Sequence, residues 1–139
     1  MKPNILVIED QEQNQYLMRY LLESSGFRVT IESDGPAGIA RARSESFDLI
    51  LLDIQLPTMS GYDVARSLRN DPEPILIPIV AVTSYAMPGD REQALTSGCT
   101  GYIEKPIDPS RFVSDLLHIC KDTDLRERLE RSSEKDGTP

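Results

Sequence analysis

With 139 residues, 39% hydrophobic and 27% charged, the chain has the make-up of one globular domain, able to bury roughly 68–70% of its unfolded surface. A net charge of −8 argues against general nucleic-acid binding, which needs basic surface, but leaves room for a small anionic site lined by a few cations. No run reaches the ~18 apolar residues of a membrane span, so neither a membrane nor a nucleic acid is an expected partner.

Ile5-Leu6-Val7-Ile8 is a short apolar run read as the first strand. It ends in Glu9-Asp10 and is no signal peptide, so the expected location is the cytoplasm. From Gln13 to Ser25 the pattern turns helical, with Leu17, Tyr20 and Leu21 as the predicted buried face and Gly26 as the stop. Phe27–Glu32 alternates as a second strand. Asp34-Gly35-Pro36 opens a short helix that faces inward through Gly38, Ile39 and Ala42.

After Asp48 the run Leu49–Leu52 is apolar and stops at Asp53, and Leu56-Pro57 and Gly61 follow; this is a third strand, covered on both faces and ending in a carboxylate. Val64, Ala65 and Leu68 mark the next helix, and Pro72 and Pro74 the loop behind it. Ile77–Thr83 is the fourth strand, with Pro78 near its start. Pro88 is placed in the first turn of a helix carrying Ala94 and Leu95. Gly101–Glu104 is the fifth strand, and Asp108-Pro109 is read as the N-cap and first position of a last helix striped by Phe112, Leu116 and Ile119. Cys99 and Cys120 read as small buried residues in a reducing compartment. The tail from Asp122 to Pro139 is charged: Leu125 and Leu129 could extend the last helix, and disorder is expected from Ser132 onward.

Five strands alternating with five helices imply an α/β fold, a doubly wound parallel sheet. All carboxyl ends of such a sheet share one rim, which gathers Glu9, Asp10, Asp53, Thr83 and Lys105. Two like charges ~4 Å apart repel by about 4 kcal/mol at an effective dielectric of 20, so the acids call for a cation. An all-oxygen set suits Mg²⁺, and Lys105 supplies part of the compensation. A hard cation, a hydroxyl and an ammonium suit phosphoryl transfer, yet no P-loop or G-x-G-x-x-G is present, which leaves the Asp53 carboxylate as the nucleophile. His118, the one histidine, falls in the last helix, away from the rim.

Glu9-Asp10, Asp53-Ile54-Gln55-Leu56-Pro57 with Gly61, Val82-Thr83-Ser84 and Tyr102-Ile103-Glu104-Lys105-Pro106 together resemble the receiver domain of two-component response regulators, the CheY-like superfamily. The stretch from Val80 to Asp90 looks like DivK-like single-domain regulators and hybrid-kinase receivers in particular. The resemblance implies a flavodoxin-like sheet of strand order 2-1-3-4-5, with a receiver over residues 1–121 and a tail over 122–139. It implies that Asp53 is a phosphoacceptor loaded from the phosphohistidine of a sensor histidine kinase or a histidine phosphotransfer protein. Asp10 and Asp53 would bind Mg²⁺ directly, Glu9 through water, and the Gln55 carbonyl would complete the protein ligands. Thr83 and Lys105 would take phosphoryl oxygens, Lys105-Pro106 would be cis, and Thr83 and Tyr102 would form the switch. Output would pass to a downstream protein through a face of the fourth helix, fifth strand and fifth helix, or through a phosphorylation-dependent homodimer. Such a chain is a self-phosphorylating and self-dephosphorylating switch, not a turnover enzyme.

Tyr85, two residues beyond Thr83, is bulky enough to shield an acyl phosphate from water, and Met87 is a candidate partner contact. A magnesium-dependent phosphatase of the haloacid-dehalogenase type is the enzyme alternative, weakened because Gln55 stands where that family needs a second acid. A flavodoxin-type carrier would need a phosphate-cradling first loop, and Glu9-Asp10-Gln11-Glu12 would repel the phosphate. A receiver cut from a larger hybrid histidine kinase is the remaining alternative.

Overall fold

The structure is a computed structural model that describes residues 2–70, 72–84 and 88–121. Tyr85, Met87 and the tail with Leu125 and Leu129 lie outside the described residues. Strands β1 (Asn4–Ile8), β2 (Arg28–Glu32), β3 (Leu49–Asp53), β4 (Ile79–Thr83) and β5 (Gly101–Glu104) form one sheet in the order β2-β1-β3-β4-β5. Every neighbouring pair is parallel. Helices α1 (Glu12–Ser24), α2 (Gly35–Ser44), α3 (Gly61–Asn70) and α4 (Asp90–Thr96) connect successive strands, and α5 (Phe112–Ile119) follows β5. This is the five-stranded flavodoxin-like order expected from the resemblance. Among the described residues no helix is long and apolar enough to cross a membrane.

The two central strands next to the site, β3 and β4, are buried at every position, as helices on both faces require. Side chains alternate between two cores. Ile5, Val7, Leu49, Leu51, Val80, Val82 and Ile103 meet α1 and α5 through Met18, Leu22, Phe112 and Leu116. Leu6, Ile8, Ile50, Leu52 and Ala81 meet α2, α3 and α4 through Ala42, Val64, Leu68 and Ala94.

Local chemistry sets the element ends. Gly26, at φ 94°, closes α1: its N–H donates to the Glu23 carbonyl, and that of Phe27 to Leu22. The Asp34 carboxylate accepts from the Ala37 N–H at 2.8 Å and caps α2. The half-buried Arg69 guanidinium donates to the carbonyls of Gly98, Ile75 and Ile77, joining the α4–β5 loop to the α3–β4 loop.

Four local expectations need correction. The buried face of α1 is Met18 and Leu22, with Leu17 and Leu21 at its margin; Tyr20 is 62% exposed. Pro88 precedes α4, whose cap is Gly89 at φ 100°, a left-handed conformation that frees the helix to start at Asp90. Asp108 caps a turn rather than α5: its carboxylate accepts from the Ser110 N–H at 3.0 Å, and α5 begins at Phe112. Strand β4 likewise begins at Ile79, one residue past Pro78, whose carbonyl still accepts from the Ile50 N–H.

Candidate functional site

The strand register brings the carboxyl ends of β1, β3, β4 and β5 to one level. Ile8 is beside Leu52, Asp53 beside Val82 and Thr83 beside Glu104. Alternation then sorts the residues by face. Glu9 continues the row of Ile5 and Val7, Asp53 that of Leu49 and Leu51, and Lys105 that of Gly101 and Ile103. All three therefore stand at the rim above the core shared with α1 and α5, where they meet. Lys105 Nζ lies 3.0 Å from Glu9 Oε1 and 3.3 Å from Asp53 Oδ1.

This is a low-dielectric cluster. Glu9 is 0% exposed and Asp53 2%. Burial, with Glu9 beside it, pushes the Asp53 carboxyl from 3.8 up to about 7, although the Gln55 N–H and Lys105 pull the other way. Burial alone would lower Lys105, but its pairing with Glu9 and Asp53 outweighs this and holds the ammonium above the ordinary lysine value. The second Glu9 oxygen, Oε2, accepts from the Gln11 N–H at 3.1 Å. Gln15 donates its side-chain amide to the Glu9 carbonyl, fixing the turn that carries the acid.

Asp10 completes the acidic group: Glu9, Asp10 and Asp53 each offer an oxygen within 4.8 Å of the other two. The fit to a hard divalent cation can be tested on this set. Among the described residues Glu9 Oε1 is buried without an aligned hydrogen-bond donor and is compensated by Lys105, whose ammonium reaches two of the three carboxylates, Glu9 and Asp53. With all three ionised, the one ammonium beside them among the described residues leaves two negative charges over; all donors are oxygens, and Asp10 lies nearer solvent than the other two, which is the donor chemistry a magnesium ion accepts.

Gly61 lets this loop close. Its N–H donates to the Ile54 carbonyl at 3.0 Å, and a Cβ there would sit 2.5 Å from the Asp53 carbonyl oxygen. Thr83, buried at the end of β4, is tied to the same loop: Gln55 Nε2 donates to its hydroxyl at 2.9 Å. Sequence reasoning assigned Gln55 only a backbone carbonyl; the side-chain contact was missed, and the signal for it was an amide rather than an apolar residue directly beyond the β3 rim. Tyr102 pairs with Ala81 in β5 and half-buries its ring against the core shared with α2, α3 and α4, on the same sheet face as Thr83. The Lys105–Pro106 bond is cis, as the resemblance implies. His118 is exposed on α5, away from the rim, and Cys99 and Cys120 are buried cysteines outside any disulfide, their thiols pushed up by burial to about 11.

Residues 5–117 match a family described as the response regulator receiver domain. The polar-differentiation response regulator DivK of Brucella anthropi is 41% identical over 122 residues, 88% of this chain and 99% of that protein. The receiver domain of the sensor histidine kinase PA1611 of Pseudomonas aeruginosa, whose structure holds a magnesium ion in the active-site cleft, superposes with a TM-score of 0.77 at 33% identity, covering 87% of this chain and 99% of that one. The receiver of Saccharomyces cerevisiae Ssk1, solved in complex with the histidine phosphotransfer protein Ypd1, gives 0.74 at 25% identity, over 84% and 87% of the two chains.

Proposed function

The chain belongs to the response regulator receiver family of two-component signalling, and from that premise we propose that Asp53 is its phosphoacceptor. The observation that carries this reading is the buried carboxylate at the β3 terminus, held 3.3 Å from the Lys105 ammonium and ringed by acids that lack full compensation. An oxygen of Asp53 bonds to phosphorus as the phosphorus–nitrogen bond of a phosphohistidine breaks; the electron pair leaves on the imidazole, which takes up a proton, and Asp53 becomes an acyl phosphate. Lys105 stands ready to take a phosphoryl oxygen, and the Thr83 hydroxyl does so from the end of β4. A magnesium ion held by Glu9, Asp10, Asp53 and the Gln55 carbonyl would, when bound, offset the negative charge of the incoming phosphoryl group.

The donor in this reading is a sensor histidine kinase or a histidine phosphotransfer protein; the Ssk1 receiver in its complex with Ypd1 supports that class. The receiver occupies residues 1–121, and 122–139 form a charged tail. Movement of Thr83 toward the phosphoryl group frees space for Tyr102, two positions back on the same sheet face, and repacks the α4-β5-α5 surface for a downstream target. Tyr102 also lines a groove of about 470 Å³ with Pro106, Arg111 and His118, so a change in its ring reaches solvent-facing surface. Gln55 in place of a second acid weighs against a phosphatase, since an amide cannot exchange protons. Labelling with acetyl phosphate and Mg²⁺, followed by peptide mapping, tests the reading. An alkali-labile phosphoryl group on the Asp53 peptide is expected; a stable phosphoester elsewhere, or none at all, would overturn it.

A further inference from the structure

The Glu9-Asp10 turn is strapped to α1 by a residue outside the acid cluster. Gln15, in the first turn of α1, donates its side-chain amide to the Glu9 carbonyl and, at 3.2 Å, to the Ser33 hydroxyl just beyond β2. A carbonyl oxygen can only accept, so the atom facing Glu9 is the NH₂, and its two hydrogens serve the two acceptors. The Glu9 N–H donates to the Glu32 carbonyl at 3.0 Å, so both backbone polar groups of Glu9 are held from outside the turn. The consequence falls on Asp10. The Glu9 carboxylate is held by Lys105 and the Gln11 N–H, and that of Asp53 by Lys105 and the Gln55 N–H. Among the described residues no hydrogen bond or ion pair holds the Asp10 carboxylate, so the backbone that carries it sets its place within 4.8 Å of the other two acids. The Glu9 carbonyl lies in the rigid peptide plane whose far side is the Asp10 nitrogen. Fixing that oxygen fixes the plane from which Asp10 departs, against the repulsion of two neighbouring carboxylates.

We propose that Gln15 is a positioning residue for the divalent-cation site, its carboxamide holding the Glu9–Asp10 peptide so that Asp10 suits a small, geometrically strict ion and Mg²⁺ is favoured over Ca²⁺. The inference rests on reading Glu9, Asp10 and Asp53 as the ligands of that ion. Gln15 is not itself a ligand and acts through the peptide between the two acids. Mg²⁺ demands near-ideal octahedral geometry, whereas Ca²⁺ takes longer and more variable bonds, so slack in the turn weakens Mg²⁺ binding more than Ca²⁺ binding.

The test is calorimetric titration of the metal-free, unphosphorylated chain with Mg²⁺ and, separately, with Ca²⁺. Wild type is compared with Gln15→Met, which keeps the length and helix preference of the side chain but donates nothing, and thermal melts serve as the folding control. Gln15→Met is expected to weaken Mg²⁺ binding about 3- to 10-fold and Ca²⁺ binding by less than about 2-fold. In the metal-free protein the same variant is expected to shift the Glu9 carbonyl ¹³C resonance, the signature of the lost hydrogen bond. If Gln15→Met does not fold, Gln15→Leu carries the same comparison. An equal or greater loss for Ca²⁺, an unchanged Mg²⁺ affinity or an unmoved Glu9 resonance would overturn the positioning role while the metal site stood. Absence of Mg²⁺ binding in the wild type, or Mg²⁺ binding indifferent to Asp10→Asn, would overturn the reading of the site as well.

Discussion

Glu9 and Asp53 are carboxylates buried at the rim of a sheet, and that position has a measurable cost. Asp53 binds its proton more tightly in the folded chain than in the unfolded one, about 7 against 3.8. A raised carboxyl pKa favours the folded state below the unfolded value, and this contribution is lost as pH rises through the folded value. Metal-free wild type should therefore lose stability between about pH 4 and 7, and Asp53→Asn should flatten that part of the profile. At pH 8 without metal the variant should melt a few degrees higher, and added Mg²⁺ should narrow the gap by mass action. Equal melting temperatures in metal-free buffer would contradict the crowded-acid picture. Lys105 gives the converse test: Lys105→Met strands the buried Glu9 carboxylate and should destabilise the metal-free protein by about 3 kcal/mol in a denaturant titration. Glu9 and Asp53 were legible in the sequence because each ends an apolar run, and Lys105 because it follows the short fifth strand directly. That Glu9, Asp53 and Lys105 share one face follows from alternation once the strand register is known. The Gln55–Thr83 contact was not legible, because it depends on where a loop folds back.

At the scale of elements, the site depends on how closely α3 starts against β3. Gly61 is buried, and any Cβ there meets the Asp53 carbonyl and the Ile54 Cα, both backbone atoms that cannot swing aside. Gly61→Ala is expected to destabilise the fold by about 1–3 kcal/mol and to slow labelling of Asp53. A melt and a labelling rate both unchanged would show that the loop tolerates displacement. The strands were readable because their apolar runs are short, separated and, in β3 and β4, unbroken. Helix faces and starts were harder. Tyr20 fits the periodicity as well as Met18 does, and only the partner surface decides that Met18 and Leu22 point inward. Asp108-Pro109 carries true capping chemistry, but the structure spends it on a turn one step ahead of α5. Gly89 competes with Pro88 for the start of α4 and wins through its positive φ.

In the whole molecule, parallel topology turns four unremarkable strand ends into one site. The order β2-β1-β3-β4-β5 places β3 centrally, with the acids of β1 on one side and Thr83 and Lys105 on the other. Two apolar layers hold the sheet, and the polar residues they cannot accommodate collect at the rim. The fold was legible because alternation of strand and helix leaves few ways to bury both sheet faces, whereas the strand order itself came with the family resemblance. The central claim is that this rim accepts one phosphoryl group on Asp53 with a divalent cation present. Intact-mass measurement after incubation with acetyl phosphate tests it most directly. Wild type with Mg²⁺ should gain a single phosphoryl group, and wild type with chelator or Asp53→Asn with Mg²⁺ should gain none. Equal labelling of Asp53→Asn, or labelling indifferent to the cation, would contradict the account.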